Sequence, residues 1–299
     1  MLYTDRNGSL SIIGNVPTNL PPPRLGKAVM KKRTLAIVIS GLAALGFASS
    51  SQAVNFCYYL NSVADGLSGS PAAPITTTGQ TPVALAGLSA ATIAAGNCAE
   101  LWILNGHNGT PDAQVTGNTA AVDAFVRAGH TLSFHDRNVF AAGAVSASTY
   151  LHGAGGLTFV RETGTNIDVL DNTVYGAAIN NTTLDGGNFS DHGYATAASV
   201  ATLALGIGGH RAIFSTGDAT HVVDFTYSLG SGHVYYSSIP LDFYLGGGGP
   251  NSAAFLNYAN LEAQFQTTGN AAPVPEPATL ALLGLGLAGL GFSRRRKAN

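Results

Sequence analysis

Residues 99–138 limit the fold more than any other stretch of the chain. Ala99-Glu100-Leu101-Trp102-Ile103-Leu104 is almost continuously apolar, the pattern of a strand buried on both faces of a parallel sheet. It breaks off at Asn105-Gly106-His107-Asn108-Gly109. Asn118 or Thr119 can then cap a helix in which Val122, Phe125 and Val126 recur at helical spacing, and Gly129 ends it. His130 to Phe134 alternates as a second strand and runs into His135-Asp136-Arg137-Asn138. A strand, a helix and a strand in this order form a βαβ unit, with parallel strands and a right-handed crossover.

The flanking sequence extends that unit. Val54 to Asn61, rich in aromatic and β-branched residues, reads as a first strand, and Asp65 to Gln80 as a loop of Gly, Ser, Pro and Thr. Thr81 to Leu85 follows as a short strand, and Ser89 to Ala95 as a helix stopped by Gly96. From Val139 to Gly209 the pattern loosens, with strand candidates at Leu157 to Arg161 and Ile167 to Leu170. Arg211 to Ser215, Val222 to Tyr227 and His233 to Ile239 read as three strands, the last two joined by the turn Ser228 to Gly232. Ser252 to Phe265 suits a closing helix with Phe255, Leu256, Ala259 and Phe265 toward the core.

The two ends carry addresses rather than folds. Met30-Lys31-Lys32-Arg33, the apolar run Leu35 to Phe47 and Ser51-Gln52-Ala53 make a secretory signal peptide over 30–53, cut after Ala53. Residues 1–29, with Pro21-Pro22-Pro23 and no apolar period, are expected to be a disordered gene-model extension ahead of a start at Met30. At the other end, Val274-Pro275-Glu276-Pro277 precedes an uncharged apolar helix over 278–292 and then Arg294-Arg295-Arg296-Lys297. At about 1.5 Å per residue that helix is roughly 22 Å long, shorter than a hydrocarbon core of about 30 Å. The basic tail would stay cytoplasmic, leaving the body outside.

Residues 271–299 resemble the PEP-CTERM sorting signal. The resemblance implies an exosortase in the inner membrane of a Gram-negative bacterium, which cuts near Pro275, Glu276 and Pro277. It implies a transiently membrane-anchored protein that the secretion translocase exports to the cell surface or the extracellular matrix, a setting of biofilm and exopolysaccharide. An ordinary C-terminal anchor is the plainer alternative.

Between the signals, residues 54–273 hold four arginines and no lysine against 14 acidic residues, a formal charge of −10. Such a body does not suit nucleic acid, whose phosphates demand cations. It permits neutral sugars or divalent cations. Cys57 and Cys98 are the only cysteines. An oxidising compartment favours a disulfide between them over two buried thiols, and no clustered Cys/His spacing supports zinc.

The order strand, helix, Glu100 to Gly109, helix, His130 to Asn138 and a late hairpin at Gly230 to Pro240 resembles the class I glutamine-amidotransferase-like fold, and within it the trehalose-utilisation-type domains. The implied class for 54–270 is α/β: a flavodoxin-like, mostly parallel sheet with an antiparallel late hairpin, plus the N-terminal signal helix and the C-terminal transmembrane helix. His135-Asp136 stands where amidotransferases carry a nucleophilic cysteine, so cysteine chemistry is not supported.

Ligands of open α/β sheets gather outside the carboxyl ends of the strands. The candidate binding residues are therefore Asn105, His107, Asn108, His135, Asp136 and Arg137, with His107, His135 and Asp136 as the acid/base set if the body is an enzyme. The bland reading has these side chains capping helices. Asp185, Asn188 and Asp191, in Asp185-Gly186-Gly187-Asn188-Phe189-Ser190-Asp191-His192, read first as a plain turn; no cofactor is expected, and Ca2+ is the one their oxygens would suit. Asp218, His221 and Asp224 form a weaker set, because a strand alternates their faces. The expected function is that of an exported, non-enzymatic protein with a sugar- or cation-binding body, the alternative being a hydrolase of extracellular carbohydrate.

Overall fold

A computed structural model of the chain describes residues 3–4, 10–11, 55–61, 68–108, 112–137, 139, 144–146, 151 and 153–269. The expected signal peptide with Ala53, the helix over 278–292 and the processing residues Pro275, Glu276 and Pro277 lie outside the described residues. The chain divides into two compact units, 1–50 and 51–299. In the first, Tyr3–Thr4 pairs antiparallel with Leu10–Ser11.

The second unit is built on one 11-stranded sheet. Its central part is parallel: β1 (Asn55–Leu60), β2 (Thr81–Ala84), β3 (Cys98–Asn105), β4 (Thr131–Asp136) and β11 (Gly232–Ser237) lie in the spatial order β2-β1-β3-β4-β11. Counted along the parallel strands alone, this is the doubly wound order 2-1-3-4-5, with its switch point between β1 and β3. The expected hairpin is present and antiparallel: β10 (His221–Leu229) turns through Gly230 and Ser231 into β11, and Gly230 takes a φ of 64°.

Beyond the hairpin the sheet goes on as an antiparallel wing, in the stretch that sequence patterning left unplaced. β8 (Asp191–Thr196) pairs with β10 and with β6 (Thr158–Gly164), and β5 (Ala144–Ser146) closes the edge. β9 (Ala212–Ser215) pairs with both β10 and β7 (Asp168–Val169). Asp191 and His192, expected in a loop, thus open a strand.

Helices cover both faces, and two further short helices, α5 (Asn172–Tyr175) and α6 (Ala197–Val200), follow in the wing segment. On one face α2 (Ala90–Gly96), α3 (Ala113–Gly117) and α4 (Thr119–Arg127) place Ile93, Val115, Val122, Phe125 and Val126 against Leu101, Ile103, Leu132 and Phe134. On the other, α1 (Ala72–Thr77), α7 (Leu241–Leu245) and α8 (Ser252–Gly269) bring Ile75, Tyr244, Phe255, Tyr258 and Phe265 to Trp102, Leu104 and Tyr235. The alternation of neighbours such as Leu101 and Trp102 between two cores is the period-2 rule applied to a strand buried on both sides.

Three local expectations change. Ala72–Thr77 is helical rather than loop, because Pro74 falls in the first turn, where no backbone N–H is required, and Thr76 and Thr77 satisfy carbonyls of the same turn. Helix α2 runs through Gly96 and ends on Asn97, whose φ of 48° makes the left-handed cap. Gly96 has another role: a Cβ there would lie 2.8 Å from Cys98 Sγ and 3.0 Å from Cys57 Sγ. Those sulfurs form a disulfide with Cα atoms 5.5 Å apart, tying β1 to β3. In α8 the core face takes Phe255, Tyr258, Ala259, Glu262, Ala263, Phe265 and Gln266, while Leu256, expected inside, is 42% exposed.

Candidate functional site

The carboxyl ends of β1, β3 and β4 are joined by a row of polar side chains. Asn61 Nδ2 donates to Asn105 Oδ1 at 3.3 Å, and Asn105 Nδ2 donates to Asp136 Oδ1 at 2.9 Å, so the row crosses the switch point. All three side chains are buried. Arg137 follows at the end of β4; its backbone N–H donates to Asn105 O at 3.1 Å and its Nη1 to Gly106 O at 3.0 Å. The same Nη1 reaches Asp242 Oδ2 at the start of α7, 3.2 Å away. Burial raises the Asp242 carboxyl above its ordinary range, and Arg137 opposes that shift. His107 and Asn108 follow Gly106 and are half-buried.

His135 does not join this row. Neighbouring residues of an extended strand face opposite sides, so with Asp136 toward Asn105, His135 is turned beneath α8. It is 2% exposed and its Nε2 lies 2.9 Å from Glu262 Oε2. Glu262 Oε1 also accepts from Trp102 Nε1 at 3.0 Å, Ser133 Oγ at 2.6 Å and Gln266 Nε2 at 2.6 Å. Burial opposes a charge on the imidazole, yet the attraction and hydrogen bond of Glu262, helped by Asp224 and the Ile239 carbonyl, raise the His135 pKa. Beside this pair Asp224 accepts from Tyr235 at 2.8 Å and Tyr258 at 2.6 Å. Burial pushes the Asp224 pKa up to about 6 against the hydrogen bonds of Ser237 and Tyr258. The expected acid/base set of His107, His135 and Asp136 is therefore split between two faces of the sheet.

Where the carboxyl edge of the parallel strands meets the antiparallel wing there is a cavity of about 310 Å³. Arg137, Asn108 and Phe243 line it from the parallel side, Arg161 of β6 with Asn188 and His192 from the wing. The register of β8 against β6 shifts between Asp191 and Gly193, and a bulge of this kind re-aims the side chain it carries. Gly193 allows the close approach: a Cβ there would stand 2.5 Å from Val160 O and 2.6 Å from Val139 Cγ1. Arg161 Nη1 donates to Arg137 O at 2.7 Å, linking the two walls. Burial lowers the Arg161 pKa, and Asp136 opposes that shift. Burial, then Arg161 and Arg137, push His192 down to about 3, so its ring is neutral at ordinary pH.

The residues expected to bind a metal are spread over separate tasks. Asp185 Oδ1 accepts from Ile167 N at 2.9 Å as a turn cap. Asn188 lines the cavity, and Asp191 is wholly buried with its carboxylate against Gly164. Among the described residues no group of three His, Cys, Asp or Glu is placed to hold a metal ion. His221 lies 3.8 Å from Asp218 and 3.5 Å from Glu162, whereas Asp224 is in the core. Sequence patterning missed Arg161, Glu262 and His192 as partners of the candidate residues. Glu262 left a visible signal all the same, a lone charge on the apolar stripe of α8.

A family model described as the PEP-CTERM protein-sorting motif matches residues 273–297. No curated protein matches the chain. Among solved structures, a ThuA-like protein from Bacteroides uniformis ATCC 8492 is 10% identical, with 72% of this chain and 93% of that one covered at a TM-score of 0.42. A beta-galactosidase from Rahnella sp. R3 is 12% identical, with 74% and 33% covered at a TM-score of 0.37. A GMP synthase protein from Thermoplasma acidophilum is 11% identical, with 72% and 97% covered at a TM-score of 0.37. The chain spans about a third of the beta-galactosidases it matches. TM-scores of 0.37 to 0.42 say nothing of what the chain binds. The sorting motif makes the chain an exosortase substrate, exported by a Gram-negative cell. Among the described residues no helix is long and apolar enough to cross a membrane.

Proposed function

We propose that this exported protein is a non-enzymatic component of the cell surface or extracellular matrix, whose flavodoxin-like, amidotransferase-like body binds a sugar in the cavity between the parallel strands and the wing. The observation that carries the reading is what lines the cavity: amides, an imidazole, guanidiniums and aromatic rings, with no carboxylate among the described lining residues. Glycoside hydrolysis ordinarily takes two carboxyl groups flanking the bond. Asp136 is held by Asn105, Glu262 by four partners under α8, and His192 is neutral at ordinary pH, so among the described residues no acid/base pair faces the cavity. Arginines on its walls also disfavour a metal cation there.

The mature secreted protein, incubated with exopolysaccharide from its own culture, is expected to co-sediment with the polymer while releasing no new reducing ends. Reducing ends that appear with the parent protein and vanish in His107→Ala and Asp136→Ala would establish the hydrolase instead. Absence of the protein from the pellet would remove the glycan altogether.

A further inference from the structure

We propose that the cavity is an oxyanion site that seats the carboxylate of an acidic sugar between Arg137 and Arg161. This rests on the sugar-binding reading and names the class of sugar.

The distribution of charge is the first argument. Residues 54–273 contain four arginines and no lysine against 14 acidic residues, yet two of those four arginines line one cavity from which described carboxylates are absent. An anionic surface that gathers its scarce cations at one point excludes acidic ligands elsewhere and admits them there. Unfilled hydrogen-bonding capacity is the second argument. Arg137 is 6% exposed and uses Nη1 on Gly106 and Asp242, while its Nε has no partner. Nδ1 of His192, 4% exposed, has none either. Buried polar atoms are seldom left unpaired, because each costs about 1–3 kcal/mol. A planar oxyanion is the ligand that a guanidinium fork fits, and Arg161 stands on the facing wall.

The acidic groups nearby hold the arginines from outside the cavity. Asp242 pairs with Arg137 Nη1, Asp136 acts on Arg161 through its charge, and Asp191 precedes His192 with its pKa pushed up to about 7 by burial. Phe243 carries the Arg137 guanidinium 5.3 Å above its ring and so fixes its plane. Phe189, 45% exposed among the lining residues, offers an apolar surface to the C–H face of a pyranose ring. About 310 Å³ is at the small end for a ligand site and suits one sugar unit of a longer chain.

Calorimetry of the mature secreted protein with tri-galacturonate, neutral galactotriose and sodium sulfate tests the assignment. The uronate is expected to bind, galactotriose at least about tenfold more weakly, and sulfate to compete with the uronate. Arg161→Gln should cost the uronate about tenfold or more, with Arg161→Lys recovering only part, since a lysine lacks the fork. Phe189→Ala, at an exposed position that does not endanger folding, should weaken the uronate and leave sulfate unchanged, separating a sugar's carboxylate from a free anion. Equal binding of galactotriose and the uronate, untouched by Arg161→Gln, overturns the oxyanion site and leaves the sugar-binding reading standing. Sulfate bound without the uronate, or loss of sulfate in Phe189→Ala, overturns the assignment to a sugar. No heat with any of the three overturns the proposal, and co-sedimentation with the native polymer then decides separately whether glycan binding survives.

Discussion

The His135–Glu262 pair and the Arg137–Arg161 cavity use similar materials to opposite ends. Both place charged groups in the protein interior, and both lie along the strand pair β3–β4 and its neighbours. The pair is closed: each ring nitrogen of His135 and each carboxylate oxygen of Glu262 has a partner inside the protein. The cavity is open: in the residues lining it, Nε of Arg137 and Nδ1 of His192 have no hydrogen-bond partner. Interior charge by itself therefore says little about function here. The His135–Glu262 pair, filled at its own atoms, fastens α8 to the sheet, and the arginine-lined cavity is shaped for something that arrives from outside.

Removal of Glu262 is the largest test of that contrast. Glu262→Leu leaves Trp102, Ser133 and His135 without their shared acceptor, and breaking a buried pair in this way costs about 3–5 kcal/mol. Urea unfolding should show that loss, while the folded fraction keeps its affinity for ligand at the cavity. A loss below about 1 kcal/mol would erase the distinction between fastening and binding.

A pH titration of stability should give a smaller effect. The folded pKa values of Asp191, about 7, and Asp224, about 6, lie above the ordinary 3.8, and that of His135 lies above 6.5. A raised folded pKa means the folded state holds its proton more tightly, so each contribution is complete below the unfolded pKa and is lost as pH rises through the folded one. The melting temperature should therefore fall as pH goes from about 4 to about 7. Asp191→Asn should flatten that slope over its whole length up to about pH 7, and an unchanged slope would show that burial does not raise its pKa. Leu256→Ser should matter least, within about 0.5 kcal/mol by the same urea assay, because the side chain covers neither cluster.

The legible parts were those where a single period rules a segment. The βαβ unit over 98–136 and the late strands were readable because burial on both faces leaves uninterrupted apolar runs. Strand β8 was not, since Asp191-His192-Gly193-Tyr194 carries polar residues that only the bulge and the wing explain. Asn105, Asp136 and Arg137 fall at the carboxyl rim by the strand ends alone, and the strands end there. His135 belongs to the same rim by its position in sequence, but alternation sends it to the other face. Its partner Glu262 is 127 residues away in sequence, beyond any local pattern, and Arg161 likewise meets Arg137 only through the sheet. Leu256 reads as inward only when Tyr258 and Glu262 are left out of the buried stripe of α8.

Helix α8 ends at Gly269, and the sorting motif begins shortly after it, at 273. While the tail is held, tension on it enters the body through α8, the element that Glu262 rivets to Trp102, Ser133 and His135. The membrane anchoring that the sorting motif implies thus loads the body at the helix that the His135–Glu262 pair holds to the sheet.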